Sequence, residues 1–460
     1  MPALETILSR LAPDFLALSD AIWATPELCY AEHRSTAAQI ALLAGQGARI
    51  TRDLAGLATA FSAEWGEGGP LIAFLGEFDA LPGLSQRAGI ARPEPLEAGG
   101  PGHGCGHNLL GAGSMLAAAA LAKMLAVEDI PARIHYYGCP AEEGGWGKVR
   151  MVAAGAFTDA DAAIGWHPGT FNGVRARATL AVASRRYVFT GRAAHAAMAP
   201  ERGRSALDGV EMMNIGANFL REHMPPAGRL HYAITDAGGA SPAVVQARAE
   251  VLYMIRAPEL DAVQDLVARV DDIARGAALI TDTGVEIRPE GGAAEVLPNS
   301  VLCGVMQSVM ADLGPLRFRA EERAFAQAIR DSLGLADDGS ATAQSDALLA
   351  PGAGRLPLHE GLRPWDGQMA QGMGSTDVGD VSWQVPVVEC ASATWAVGTP
   401  SHSWQAVAQG CSPAAHRATL RAAAVMARTG LALIRAPERI RQAREELVLR
   451  RAGRSYAPMA

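Results

Sequence analysis

The stretch from Leu109 to Ala126 constrains the fold of this chain more than any other: it is built almost wholly of alanine, glycine, leucine and methionine. A run so long and so apolar is either a membrane span or a helix buried on all sides. Its small side chains and the interruption at Lys123 favour the buried helix. Apolar segments of strand length lie on either side, Leu71 to Leu75 and Ile134 to Gly138. Strand, helix and strand in that order predict an α/β domain, in which ligands gather where strands end and loops begin. Glu77 to Pro82, Gly138 to Gly145 and Trp166 to Gly169 fall at such ends.

A chain of 460 residues exceeds one ordinary core, so two or more domains are expected. Hydrophobic residues at 49% and charged residues at 19% describe a globular protein rather than a disordered one. A net charge of -8 provides no general attraction for nucleic acid or acidic lipid, and neither is expected as a partner. The arginine-rich segment Arg439 to Arg454 interleaves with Glu445 and Glu446 and reads as a solvated helix. Met1 to Leu18 is amphipathic, without the basic flank and unbroken apolar run of a secretory signal. Six cysteines, at 29, 105, 139, 303, 390 and 411, show neither close pairing nor the density of a secreted domain. The expected location is therefore the reducing cytoplasm.

From about Arg177 the pattern changes. A strand-like run over Val188 to Thr190 precedes a helix over Ser205 to Arg221, strands near His231 to Thr235 and Val244 to Ile255, a helix over Glu259 to Arg275 and a strand near Val285 to Arg288. This βαββαβ order matches a small ferredoxin-like domain. It is read as an insertion, with residues 1–177 and 294–460 forming the two parts of an α/β, mixed-sheet catalytic domain and 178–293 the inserted one. Residues 337–372, rich in Gly, Ala, Ser and Pro, read as a long excursion, either a lid loop or a surface insertion.

Four short motifs could carry chemistry. Gly102-His103-Gly104-Cys105-Gly106-His107-Asn108 is a glycine-spaced loop before the alanine-rich helix, able to aim a thiolate and an imidazole at one point. A buried thiol beside a capping loop would leave the same trace. Pro140-Ala141-Glu142-Glu143-Gly144-Gly145 places two carboxylates just after a strand. On an extended segment they would point opposite ways, one toward a metal and one toward a water. His167 in Trp166-His167-Pro168-Gly169 and His402 in Gly398-Thr399-Pro400-Ser401-His402-Ser403 each follow an apolar run. Together one thiolate, three imidazoles and a carboxylate suit zinc or manganese and suit calcium poorly. His33, His135, His223, His231, His359 and His416 have no companion ligand nearby and are assigned structural roles, whereas His103 is close enough to orient a ligand.

At these residues the sequence resembles the aminoacylase and desuccinylase type of metallopeptidase, in the amidohydrolase branch that contains the aminobenzoyl-glutamate hydrolase subunits. The resemblance also covers Trp23 to Leu28, Gly76 to Leu84, Gly191 to Ala197, Gly374 to Trp383 and His402 to Gln405. It implies a catalytic domain interrupted by a lid domain that forms a homodimer, and one or two divalent ions per chain. By motif, Cys105, His107, Glu143, His167 and His402 become metal ligands and Glu142 the general base. Asp79 falls where a carboxylate orients the metal site, and His195 where a lid histidine stabilises the oxyanion. Arg256 matches a frequent arginine that could bind a substrate carboxylate or make a structural ion pair. Where relatives have Asn-Val-Val-Pro, this chain has Ala243-Val244-Val245-Gln246, which removes a side-chain amide from the lid.

The activity implied is hydrolysis of an amide bond in an N-acyl amino acid, an aminobenzoyl-glutamate-like compound or a dipeptide, by a metal-activated water with Glu142 as base. Two rivals are a metal-stabilised binding protein that kept the fold, and a cysteine hydrolase using Cys105 as nucleophile.

Overall fold

A computed structural model describes residues 2–334 and 352–460. Of the expected excursion, residues 337–351 lie outside the described residues. The chain forms two compact units. The first comprises Met1–Arg177, Leu297–Ala370 and Val381–Tyr456, and the second Ala178–Val296, Gln371–Asp380 and Ala457–Ala460.

The first unit is built on a seven-stranded mixed sheet. Its strands are β1 (Arg49–Arg52), β2 (Phe61–Trp65), β3 (Leu71–Glu77), β4 (Arg133–Cys139), β5 (Ala162–Gly169), β6 (Gly173–Val174) and, from the distant second part of the chain, a strand over Val387–Ala393. That last strand lies between β5 and β6, and the order starts β1-β2-β4-β3-β5. Four central strands are parallel, and the rest pair antiparallel. Every residue of β3 is buried, as a parallel strand covered on both faces requires.

The alanine-rich run is helix α3 (His107–Glu128), following α1 (Pro2–Trp23) and α2 (His33–Gly45). It is long and apolar enough to cross a membrane, yet 83% of its most apolar window is buried. The small residues explain how it lies so close to the sheet. A Cβ at Gly113 would come within 2.8 Å of the Trp166 indole nitrogen. Leu109 to Leu121 share one core with Phe74, Ile164, Phe15 of α1, and Val425 and Met426 of the helix Pro413–Arg435. A short helix, α4 (Gly147–Ala153), comes between β4 and β5 in the chain.

Three expectations change here. Trp166 to Gly169 is not a loop, because parallel pairing of His167 with Ala391 and of Gly169 with Ala393 carries β5 through it. The arginine-rich C-terminal helix, Pro437–Arg451, is not simply solvated. Ile440, Ala443 and Leu447 are buried, and Glu446 accepts the backbone N–H groups of Ser300 and Val301 at the start of another helix. The described end of the excursion is only partly at the surface, with Leu358 and His359 buried and Arg363 donating its N–H to Asn172, while Asp366 to Gln368 are exposed.

The second unit runs β7 (Ala181–Thr190), α5 (Ala206–Leu220), β8 (Arg229–Asp236), β9 (Arg248–Ala257), α6 (Leu260–Thr281) and β10 (Gly284–Ala293). The sheet order is β10-β7-β9-β8 with all pairs antiparallel. Ser205 caps α5 by accepting the Asp208 N–H at 3.1 Å. The strand expected from Val244 begins only at Arg248, because Val244 bridges to His195 instead. Gln371–Asp380 joins this unit, where Asp380 accepts the Ala294 N–H at 2.9 Å.

Candidate metal centre

The carboxyl ends of the parallel strands gather the candidate residues of the first unit. β3 ends at Glu77, two residues before Asp79, and β4 ends at Cys139, just before Glu142 and Glu143. β5 carries His167 near its end, and the strand Val387–Ala393 leads to His402. Gly106, with φ 77°, turns the Cys105 loop into α3, so that His107 is the first helical residue and Cys105 stands just outside.

The side chains meet at short range. The Cys105 Sγ is 3.4 Å from His167 Nε2, and the His402 Nε2 is 3.4 Å from a Glu143 oxygen. His107 is fully buried, and its Nδ1 lies 2.8 Å from Asp79. That contact assigns the Nδ1 proton to Asp79 and turns Nε2 toward Glu77 at 3.1 Å, Glu143 at 3.9 Å and Glu142 at 4.0 Å. Asp79 thus holds a ring that faces three carboxylates, and its other oxygen accepts the Glu143 N–H at 2.9 Å.

The electrostatics follow from burial against neighbouring charge. Burial alone would lower the pKa of His107, but Cys105 and Asp79 outweigh it and hold it well above the usual value. Hydrogen bonds to Cys105 and Glu143 push His402 up to about 10. Burial raises the Cys105 thiol. Burial and then Arg175 depress His167 well below its usual value, leaving a neutral ring. Burial opposes ionisation of Glu143, yet His402 and His107 hold it below the usual range.

Two side-chain atoms in this cluster are buried without a hydrogen-bond partner, His107 Nε2 and Glu143 Oε1. Orphaned donors of these types, aimed at a thiol, imidazoles and carboxylates, fit a divalent cation. Cys105, His107 and His167 offer one donor atom each within 4.8 Å of one another, and so do Cys105, Glu143 and His402. A further such group is Glu77, His107 and Glu142.

The carboxylate pair does not adopt the extended arrangement expected of it. Glu142 and Glu143 sit in a turn rather than on an extended segment, and both approach the same imidazole nitrogen. Ala141, with φ 59°, causes this. A non-glycine residue in the left-handed region needs support, and Glu32 supplies it by accepting the Ala141 N–H at 2.9 Å. Burial pushes the Glu32 carboxyl up to about 7.

His103 is also buried, with its Nε2 3.1 Å from the Ile22 carbonyl, and so ties the Cys105 loop to α1. Burial and then His107 bring its pKa down to about 4. His359 accepts the Asn172 N–H and His416 pairs with Asp20, both in structural positions. Sequence reasoning passes over Glu32, Glu77 and Lys148. Lys148 Nζ lies 2.6 Å from Glu77, with its side chain fully buried. A lone lysine after a glycine-rich turn carries no signal of burial, and only the fold supplies its partner.

His195 and Arg256 belong to the second unit. His195 is exposed, and its Nδ1 accepts the N–H groups of Ala197 and Met198, each at 3.2 Å. With Nδ1 accepting, Nε2 is the ring nitrogen left to donate. The segment from Ala243 to Gln246 is fixed beside it. Ala196 donates to the Ala243 carbonyl and Val245 to Ala194, and the Gln246 side chain meets Ser205 at 3.1 Å. Arg256 is hydrogen-bonded to Ser375 at 3.1 Å, and among the described residues no carboxylate pairs with it.

Residues 73–331 match the model of peptidase family M20/M25/M40. The chain is 44% identical to one subunit of the p-aminobenzoyl-glutamate hydrolase of Escherichia coli K12, over 90% of its own length and 87% of the relative's. It is 31% identical to the mouse Xaa-Arg dipeptidase, covering 94% of this chain and 88% of that protein. The fold is shared with a Bacillus subtilis peptidase described as binding a dinuclear metal, at a TM-score of 0.54 and 17% identity over 92% of this chain and 99% of the other.

Proposed function

The chain belongs to peptidase family M20/M25/M40 and is an amide-bond hydrolase, and we propose that it uses one or two divalent ions, zinc or manganese, held by Cys105, His107, Glu143, His167 and His402. The carrying observation is the pair of donor groups that share Cys105, one completed by His107 and His167 and the other by Glu143 and His402. When bound, the metal supplies a Lewis acid and an acidified water. Glu142 stands outside both of those groups yet faces the same imidazole, which suits the general base that takes a proton from water and returns it to the leaving amine. Asp79 fixes the His107 ring. His195 presents an Nε2–H suited to the developing oxyanion.

The substrate class is an aminobenzoyl-glutamate-like compound, another N-acyl amino acid or a dipeptide, in keeping with the named activities of the relatives. Arg256, half-buried and without a carboxylate partner among the described residues, is the candidate for a substrate carboxylate. The second unit is read as a ferredoxin-like lid through which the chain homodimerises, probed best at its edge strand β8, where Tyr232 and Ile234 are exposed. The cytoplasm is the proposed location.

Glu142→Gln is expected to lower turnover by roughly 10²- to 10⁴-fold while metal content stays that of the parent. Turnover near the parent rate removes Glu142 from the mechanism. Turnover that survives chelation but is lost to a thiol reagent would instead favour Cys105 as nucleophile.

A further inference from the structure

The residues assigned so far leave one buried ion pair unused. Glu77 ends β3, and its register with Cys139 puts it level with the start of the Glu142 turn. Lys148 lies in the first turn of α4, which follows the Glu142 turn. Lys148 Nζ is 2.6 Å from one Glu77 oxygen, and the two side chains are 0% and 6% exposed. The other Glu77 oxygen is 3.1 Å from His107 Nε2. A buried ammonium–carboxylate pair is often no more stabilising than an apolar pair of equal volume, so its presence here asks what else the charge does. Lys148 occupies one oxygen and so turns the other toward His107.

The nitrogen it faces supplies an independent sign of a ligand. His107 Nε2 is buried and has no hydrogen-bond partner, because its ring is aligned by Asp79 through Nδ1. Glu77, His107 and Glu142 each present one donor atom within 4.8 Å of the other two. An imidazole nitrogen without a hydrogen bond, 3.1 Å from one carboxylate and 4.0 Å from another, is a cation site in outline, of oxygen and nitrogen donors.

We propose that Glu77 is an additional anionic donor to the metal that His107 binds, and that Lys148 is the positioning residue that sets its orientation. This rests on the metal-dependent reading above. It separates the two acidic residues of the β3 end: Asp79 acts through the far side of the His107 ring, and Glu77 at the near side.

The test measures manganese affinity and stoichiometry by titration on the full chain, alongside the thermal midpoint of metal-free protein, for the parent, Glu77→Gln, Lys148→Met and the Glu77→Gln/Lys148→Met double variant. Glu77→Gln is expected to weaken manganese binding by at least about 10-fold, and Lys148→Met to weaken it in the same direction. The double variant removes the stranded buried charge, so it should regain the thermal midpoint that Lys148→Met loses without regaining affinity. Affinity and stoichiometry equal to the parent in Glu77→Gln would overturn the proposal, leaving Glu77 only as the counter-ion of Lys148. Affinity restored together with stability in the double variant would overturn it as well. If the parent itself takes up no metal, the proposed function fails first, and that result is distinct from both.

Discussion

His107 of the first unit and His195 of the second are held in opposite ways. In the first unit His107 is fully buried between Asp79 and Glu77, and the Glu142 turn is fastened by Glu32 from below. In the second, His195 stands exposed on a loop, secured by two backbone N–H groups and a single bridge to Val244. His107 ties function to stability, since it also faces Asp79 and Glu77, carboxylates buried away from water. The exposed histidine is free of that link. Sites of the first kind should lose fold and activity together, and sites of the second kind activity alone.

His107→Ala should give the largest effect. It leaves Asp79 without its imidazole partner and Glu77 with Lys148 alone, at a cost of about 3–5 kcal/mol in metal-free protein, and it removes a proposed metal ligand. Denaturant unfolding with parallel metal analysis measures both. A variant as stable as the parent would break the claim that the buried cluster couples the two.

His195→Ala sharpens the other half of the comparison. Loss of the proposed oxyanion donor should lower kcat by roughly 10²- to 10³-fold, about 3–4 kcal/mol of transition-state stabilisation. Unfolding free energy should change by no more than about 0.5 kcal/mol, as for an exposed position. A large fall in stability would show that the His195 loop depends on this ring as the buried centre depends on His107.

Glu32→Gln gives the smallest effect, and one that depends on pH. Burial raises the folded-state carboxyl to about 7, above the unfolded value of about 4.5, so the folded chain binds this proton more tightly. The stabilisation is fully present below about pH 4.5 and is lost as pH rises through 7, up to roughly 3 kcal/mol in all. Glutamine carries no such proton, so the variant should lose less stability than the parent between pH 5 and 8. Identical pH profiles would mean that Glu32 is not the group that titrates.

Much of this arrangement was legible because local chemistry announced it. The small side chains and Lys123 of the alanine-rich run favoured a buried helix over a membrane span, and flanking apolar strands placed His107 and the Glu142-Glu143 pair at sheet ends. The glycines around Cys105 foretold a tight loop, and Gly106 adopts it. The orientation of the carboxylate pair was not legible, because it turns on a left-handed Ala141 held by Glu32, more than a hundred residues away. Nor was the strand character of His167, which depends on pairing with a strand from the second part of the chain.

The sequence by itself therefore determined which residue types could bind a metal, that they lie near strand ends, and that a βαββαβ segment interrupts the sheet domain. Tertiary structure alone decided which nitrogen of His107 faces the carboxylates, that Lys148 is buried against Glu77, and that Glu142 and Glu143 converge rather than diverge. The physical reason is range. Backbone propensity and hydrophobic pattern act over a few residues and leave a trace in the sequence, whereas the partner of a buried charge is set by packing between segments far apart in the chain.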